Sequence, residues 1–126
     1  MVKIAIIEDD QLISQMYRLK FEEAGFVVEM AADGKSGVAM VEQTKPDLLL
    51  LDLWMPGMDG IEALRLIRAT ATGAALPVVV LTNSGGPEDE KALHQIGIDD
   101  YIVKADFTPR EVIAKIQSVL AKYSLL

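Results

Sequence analysis

Two apolar patterns alternate along the chain: short continuous runs, and longer stretches in which apolar positions fall three and four residues apart. The continuous runs are Val2 to Ile7, Phe26 to Met30, Leu48 to Leu51, Leu76 to Leu81 and Tyr101 to Val103. Each is three to six residues long and rich in β-branched residues or leucine, which reads as a strand. The leucine run lies between Pro46 and a Pro56-Gly57 breaker and has no polar alternation, so it predicts a strand buried on both faces.

Helical spacing fills the gaps between these runs. Leu12, Ile13, Met16 and Leu19 predict the apolar positions of a first helix that Gly25 stops. Asp33-Gly34 starts a second, with Val38 and Val41 on one side and Pro46 marking its end. Asp59 caps a third, with Glu62 three residues later, Ile61, Leu64 and Ile67 on its buried face, and Gly73 as its stop. Pro87 opens a short fourth helix with Glu88, Asp89 and Glu90 in the first turn, ended by Ile96-Gly97. Thr108-Pro109-Arg110-Glu111 reads as a capping box launching a fifth, striped by Val112, Ile113, Ile116, Val119 and Leu120.

Five strands alternating with five helices imply right-handed crossovers and an α/β domain whose parallel sheet is covered on both faces. The length of 126 residues and the 51% hydrophobic content fit one domain over residues 1–126 and leave no room for a second. No repeat, linker or low-complexity stretch interrupts it. There is no cysteine, which removes disulfides and thiolate metal sites. The start of the chain is too short in apolar residues and too soon acidic for a signal peptide, and no run is long enough to span a bilayer, so a soluble, cytoplasmic protein is expected with no membrane partner. The formal net charge of -7 and the lack of a basic cluster argue against direct nucleic-acid binding.

The chemistry lies where the strands end. In an open parallel sheet, ligands gather beyond the carboxyl ends of the strands, at the point where strand order reverses. Strand one ends in Glu8 and Asp9, strand three in Asp52, strand four in Thr82 and strand five in Lys104. Crowded carboxylates either raise one pKa strongly or hold a hard divalent cation, and oxygen-only donors suit magnesium. Asp10 reads as a helix cap, and His94, with no acidic or hydroxyl partner at catalytic spacing, reads as a surface residue.

With its order of acidic pair, Asp, Thr and Lys across five βα units, and its loop Asp52-Leu53-Trp54-Met55-Pro56-Gly57-Met58-Asp59-Gly60, the chain resembles a response-regulator receiver domain of two-component signalling over essentially its whole length. The resemblance implies a flavodoxin-like (βα)5 fold with strand order 2-1-3-4-5. It also implies a phosphorylation switch: Asp52 accepts a phosphoryl group from a phosphohistidine on a sensor histidine kinase or histidine phosphotransfer protein. By the same resemblance Mg2+ is held by Asp9, Asp52 and the Trp54 backbone carbonyl, with Glu8 acting through water. Lys104 pairs with a phosphoryl oxygen, while the Thr82 hydroxyl and the Asn83 amide donate to others. Tyr101 turns inward as the threonine loop moves, and the face of the fourth helix, fifth strand and fifth helix carries the output to a protein target or a fused effector. Such a protein is a signalling switch rather than a turnover enzyme.

Two departures from the family pattern stand out. Proline usually follows the strand-five lysine, whereas Ala105 follows Lys104 here, which predicts a trans bond and a differently shaped loop. The positions two beyond Asp52 and Thr82, which influence phosphate lifetime in this family, are Trp54 and Ser84, and a bulky Trp54 is placed to screen water. Trp54 and Met58 either contact a partner or roof the acidic pocket. Other classes fit less well. An aspartate-nucleophile phosphatase wants an Asp where Trp54 stands, and a nucleotide or flavin binder wants a phosphate loop where Glu8 and Asp9 repel one. A phosphorylation-independent, receiver-like interaction module is the remaining alternative.

Overall fold

In the computed structural model, which describes every residue except Pro56, Ser84 and Gly85, all five apolar runs become strands of one parallel sheet. The elements in chain order are β1 (Lys3–Ile7), α1 (Gln11–Glu23), β2 (Val27–Ala31), α2 (Gly34–Thr44), β3 (Leu48–Asp52), α3 (Gly60–Arg68), β4 (Val78–Thr82), α4 (Pro87–Ile96), β5 (Asp100–Val103) and α5 (Pro109–Lys122). The strand order is β2-β1-β3-β4-β5, so the chain steps from β1 to β2 in one direction and then, from β3 on, builds outward in the other. β1 pairs with both β2 and β3, and that is the reversal point at which the fold opens a crevice.

Strand alternation sorts the core into two layers. Ile4, Ile6, Leu48, Leu50, Val79, Leu81 and Ile102 face α1 and α5, where they meet Tyr17, Phe21, Val112, Ile116 and Leu120. Ala5, Ile7, Leu49, Leu51, Val78 and Val80 face the other side, against Met40, Val41, Leu64, Ile67 and Leu93 of α2, α3 and α4. Every residue of β3 and of β4 is buried, as a strand covered on both faces requires.

The helix starts follow the sequence signals. The Asp10 side chain accepts from the amides of Leu12 and Ile13, Asp33 from Ser36 and Asp59 from Glu62. Thr108 and Glu111 complete a reciprocal capping box. Gly25, at φ 95°, takes the left-handed position just past the end of α1.

Two expectations are corrected. Leu12 and Leu19 are 84% and 61% exposed; the face that α1 buries is Ser14, Tyr17 and Phe21. Ile13 and Met16 of the expected set do pack, partly buried, against the core beside these aromatic rings. The third helix ends at Arg68 rather than running to Gly73, because Arg68 folds back. Its guanidinium donates to the carbonyls of Gly73 (2.8 Å), Leu76 (2.6 Å) and Gly97 (2.7 Å), tying the α3–β4 connection to the end of α4. Of the loop features read from sequence, Pro56, Ser84 and Gly85 lie outside the described residues.

Arg68 therefore closes the end of the sheet opposite the strand mouths. Arg68→Ala leaves three carbonyls without their donor, and a loss of about 2 kcal/mol or more is expected in urea unfolding followed by circular dichroism.

Candidate functional site

Parallel register brings the strand ends together. Ile7 lies opposite Leu51, so the residues that follow, Glu8 and Asp52, emerge side by side, and Asp52 in turn lies opposite Leu81. Glu8 is fixed by its own backbone, whose amide donates to the Ala31 carbonyl at 3.1 Å. Glu8 and Asp52 are only 6% and 5% exposed, whereas Asp9 faces solvent. One carboxylate oxygen from each of Glu8, Asp9 and Asp52 lies within 4.8 Å of the others. Opposite ligands of an octahedral magnesium ion stand about 4.2 Å apart, so the spacing of these oxygens suits donors that reach such an ion directly or through its water.

Lys104 stands just past β5 and reaches across into this cluster. Its ammonium group donates to Glu8 Oε1 at 3.1 Å and Oε2 at 3.3 Å, and lies 3.8 Å from Asp52 Oδ1. The lysine thus serves Glu8 first and Asp52 second. One cation among three acids leaves Asp52 poorly compensated: burial, then the charge of Glu8, push its carboxyl up to about 8, with Lys104 opposing.

The loop that follows β3 is held by a close approach. The Gly60 amide donates to the Leu53 carbonyl at 2.7 Å, and a Cβ at Gly60 would sit 2.6 Å from the Asp52 carbonyl oxygen. Only glycine lets α3 begin this near the end of β3. Trp54 is half exposed on the loop, and Met58, half buried, packs where a Cβ of Gly34 would be.

Thr82 ends β4 fully buried, opposite Val103, and Tyr101 lies opposite Val80. Thr82 follows the strand parity of Val78 and Val80, so it and Tyr101 belong to the α2, α3 and α4 side. Tyr101 packs against the core cluster there, its hydroxyl buried and without a hydrogen-bond partner among the described residues. Burial and the nearby Asp89 and Glu90 push its phenol up. Asn83 is exposed. His94 is exposed as well, 3.6 Å from Glu90.

No cis peptide bond occurs among the described residues, and in place of the family's proline turn Lys104 opens a single 3-10 turn, Lys104–Asp106. The Phe107 amide closes it on the Lys104 carbonyl at 3.3 Å. Two residues near the site escaped the sequence reading. Gly60 was legible as the glycine directly after the Asp59 cap. Tyr17 was legible through its 3-and-4 spacing with Ser14 and Phe21.

A sheet of this order with an acidic cleft at its reversal point defines the flavodoxin-like doubly wound class. Within that class the chain belongs to the receiver-domain family of two-component signalling, for the family described as response regulator receiver domain matches residues 4–117. The chemotaxis protein CheY4 of Vibrio cholerae is 30% identical with a TM-score of 0.89, covering 95% of this chain and 99% of that one. The receiver domain of the sensor histidine kinase PA1611 of Pseudomonas aeruginosa is 28% identical with a TM-score of 0.85, covering 95% and 98%, and has a magnesium ion coordinated in its active-site cleft. The transcriptional regulator RpaA of Synechocystis is 36% identical over 122 residues, which is 97% of this chain and 50% of that protein. The chain spans about half the length of the curated relatives it matches. The family signals through phosphorylation-dependent two-component systems, and its members are signalling proteins. Among the described residues, no helix is long and apolar enough to cross a membrane.

The perturbed carboxyl gives a pH prediction. A folded-state pKa above the unfolded value means that the folded chain binds the proton more tightly, so metal-free stability falls as pH rises from about 4 through about 8. Asp52→Asn removes that slope and raises stability at pH 8 by on the order of 2 kcal/mol. Thermal melts of both chains in chelator across this range measure it.

Proposed function

We propose that the chain is a phosphorylation switch in which Asp52 accepts a phosphoryl group from a phosphohistidine on a sensor histidine kinase or a histidine phosphotransfer protein. The observation that carries this is the buried Asp52 flanked by Glu8, Asp9 and the Lys104 ammonium group. An Asp52 oxygen attacks phosphorus as the bond from phosphorus to the imidazole nitrogen breaks, and the imidazole leaves with the electron pair. Asp9, Asp52 and the Trp54 carbonyl would hold magnesium, with Glu8 acting through water, and the ion would supply charge neutralisation for the transferring group.

The protein's own groups do the positioning. Lys104 shifts from Glu8 toward a phosphoryl oxygen, a short move given its 3.8 Å separation from Asp52. The buried Thr82 hydroxyl on the neighbouring strand and the Asn83 amide donate to the remaining oxygens. Thr82 shares a side of the sheet with Tyr101, so a shift of the threonine is felt along β5 and at α4, and the α4, β5 and α5 face carries the signal to a protein target or a fused effector. The half-exposed Trp54 screens the phosphoryl group from water. The chain works in the cytoplasm and binds no nucleic acid directly.

Intact mass spectrometry after incubation with acetyl phosphate and magnesium tests the reading. One phosphate adduct is expected on the native chain, and none on Asp52→Asn or in chelator. A folded chain that takes no phosphate from acetyl phosphate or from phosphohistidine proteins would overturn it in favour of a phosphorylation-independent interaction module.

A further inference from the structure

The reaction asks Lys104 to serve two groups in turn. Its ammonium donates to both Glu8 oxygens, and pairing with a phosphoryl group on Asp52 draws it toward β3. Glu8, only 6% exposed, then loses both hydrogen bonds from the ammonium group and keeps only its water contact toward the metal. A buried acceptor short of donors is costly, and the cost falls on the state in which Lys104 has moved.

A second donor stands on that side of the sheet. Tyr17 of α1 is 4% exposed, its ring tilted against Phe21 with centroids 6.2 Å apart. It lines the small void beneath the site together with Glu8, Asp52 and Leu81. It also lines the apolar cleft between α1 and the β5–α5 loop that leads to Lys104 and Asn83. Burial and the charge of Glu8, rather than any hydrogen bond, raise its phenol above the ordinary value. Tyr17 therefore shares this void with Glu8, and its hydroxyl makes no hydrogen bond to that carboxylate.

We propose that Tyr17 is a positioning residue that takes over Glu8 when Lys104 moves to the phosphoryl group. Its hydroxyl donates to the carboxylate that the ammonium has left and keeps Glu8 aimed into the cleft. α1 supplies rigidity, since Tyr17, Phe21 and Ser14 are its buried face. The proposal rests on phosphorylation at Asp52.

Tyr17→Phe removes the hydroxyl and keeps the ring. The melting temperature and the resting magnesium affinity, read from the fluorescence of Trp54, are expected to stay native. Phosphorylation by acetyl phosphate is expected to slow about tenfold, and beryllofluoride, a phosphoryl mimic, to bind about tenfold more weakly. Tyr17→Leu should share these two defects. Native rate and beryllofluoride affinity in Tyr17→Phe overturn the proposal alone. So does a Tyr17→Phe defect that tracks a lowered melting temperature, or a defect seen only in Tyr17→Leu, since either marks ring packing. A native chain that takes neither phosphate nor beryllofluoride overturns this proposal together with the phosphorylation reading.

Discussion

Two buried carboxylates at the ends of adjacent parallel strands, with one ammonium group between them, set the terms for the rest of the molecule. Glu8 and Asp52 are brought together by backbone register, so the chain cannot relieve their repulsion by moving one away without breaking the β1–β3 ladder. Lys104 compensates one charge and sits nearer Glu8, leaving Asp52 underserved. A site built this way has an affinity for positive charge that the protein alone does not satisfy. The oxygen donors of Glu8, Asp9 and Asp52 direct that demand toward a hard cation.

Holding such a site requires firmness elsewhere. At the far edge of the sheet, Arg68 ties the α3–β4 connection to the end of α4, and Asp99 accepts from the Val78 amide at 2.9 Å and from the Tyr123 hydroxyl at 2.6 Å. These bonds join the connections on either side of β4 and β5 to the end of α5, so the strands reach the mouth in fixed register. At the mouth the arrangement is looser. α4 begins at Pro87 after Gly86, which offers no side-chain cap, and Leu93, near its other end, is its fully buried residue. Deformation near the site is therefore expected at the start of α4, while its end stays pinned.

The fold was legible because the sequence signals were local and mutually consistent: capping aspartates, a capping box, and continuous apolar runs with no competing period. The strand-end residues Glu8, Asp9, Asp52, Thr82 and Lys104 were legible because topology alone places them at one edge. What failed was the edge of one helix face. Ile13 and Met16 pack against the core as their spacing implies, but Leu12 and Leu19 lie outside it and the aromatic Tyr17 and Phe21 take the fully buried positions, a choice that hydrophobicity alone does not make. Gly73 looked like a stop, but a long side chain reaching back from Arg68 set the helix end, and that is a tertiary bond with no local signature. The preference of Lys104 for Glu8 over Asp52 is also invisible in one dimension, since it depends on distances of 3.1 and 3.8 Å between residues from three strands.

Under the proposed phosphorylation of Asp52, that preference would turn so small a chemical change into a switch. While Asp52 carries at most one negative charge, Lys104 gains more from two hydrogen bonds to Glu8 than from a longer contact with Asp52. A phosphoryl group on Asp52 brings about two negative charges and three acceptor oxygens to the same place, which attract the ammonium more strongly than a single carboxylate does. The lysine then has two arrangements whose order of stability the phosphate reverses. A bistable contact of this kind, set on a rigid strand end with a buried threonine one strand away as its proposed reader, is what a two-state response requires.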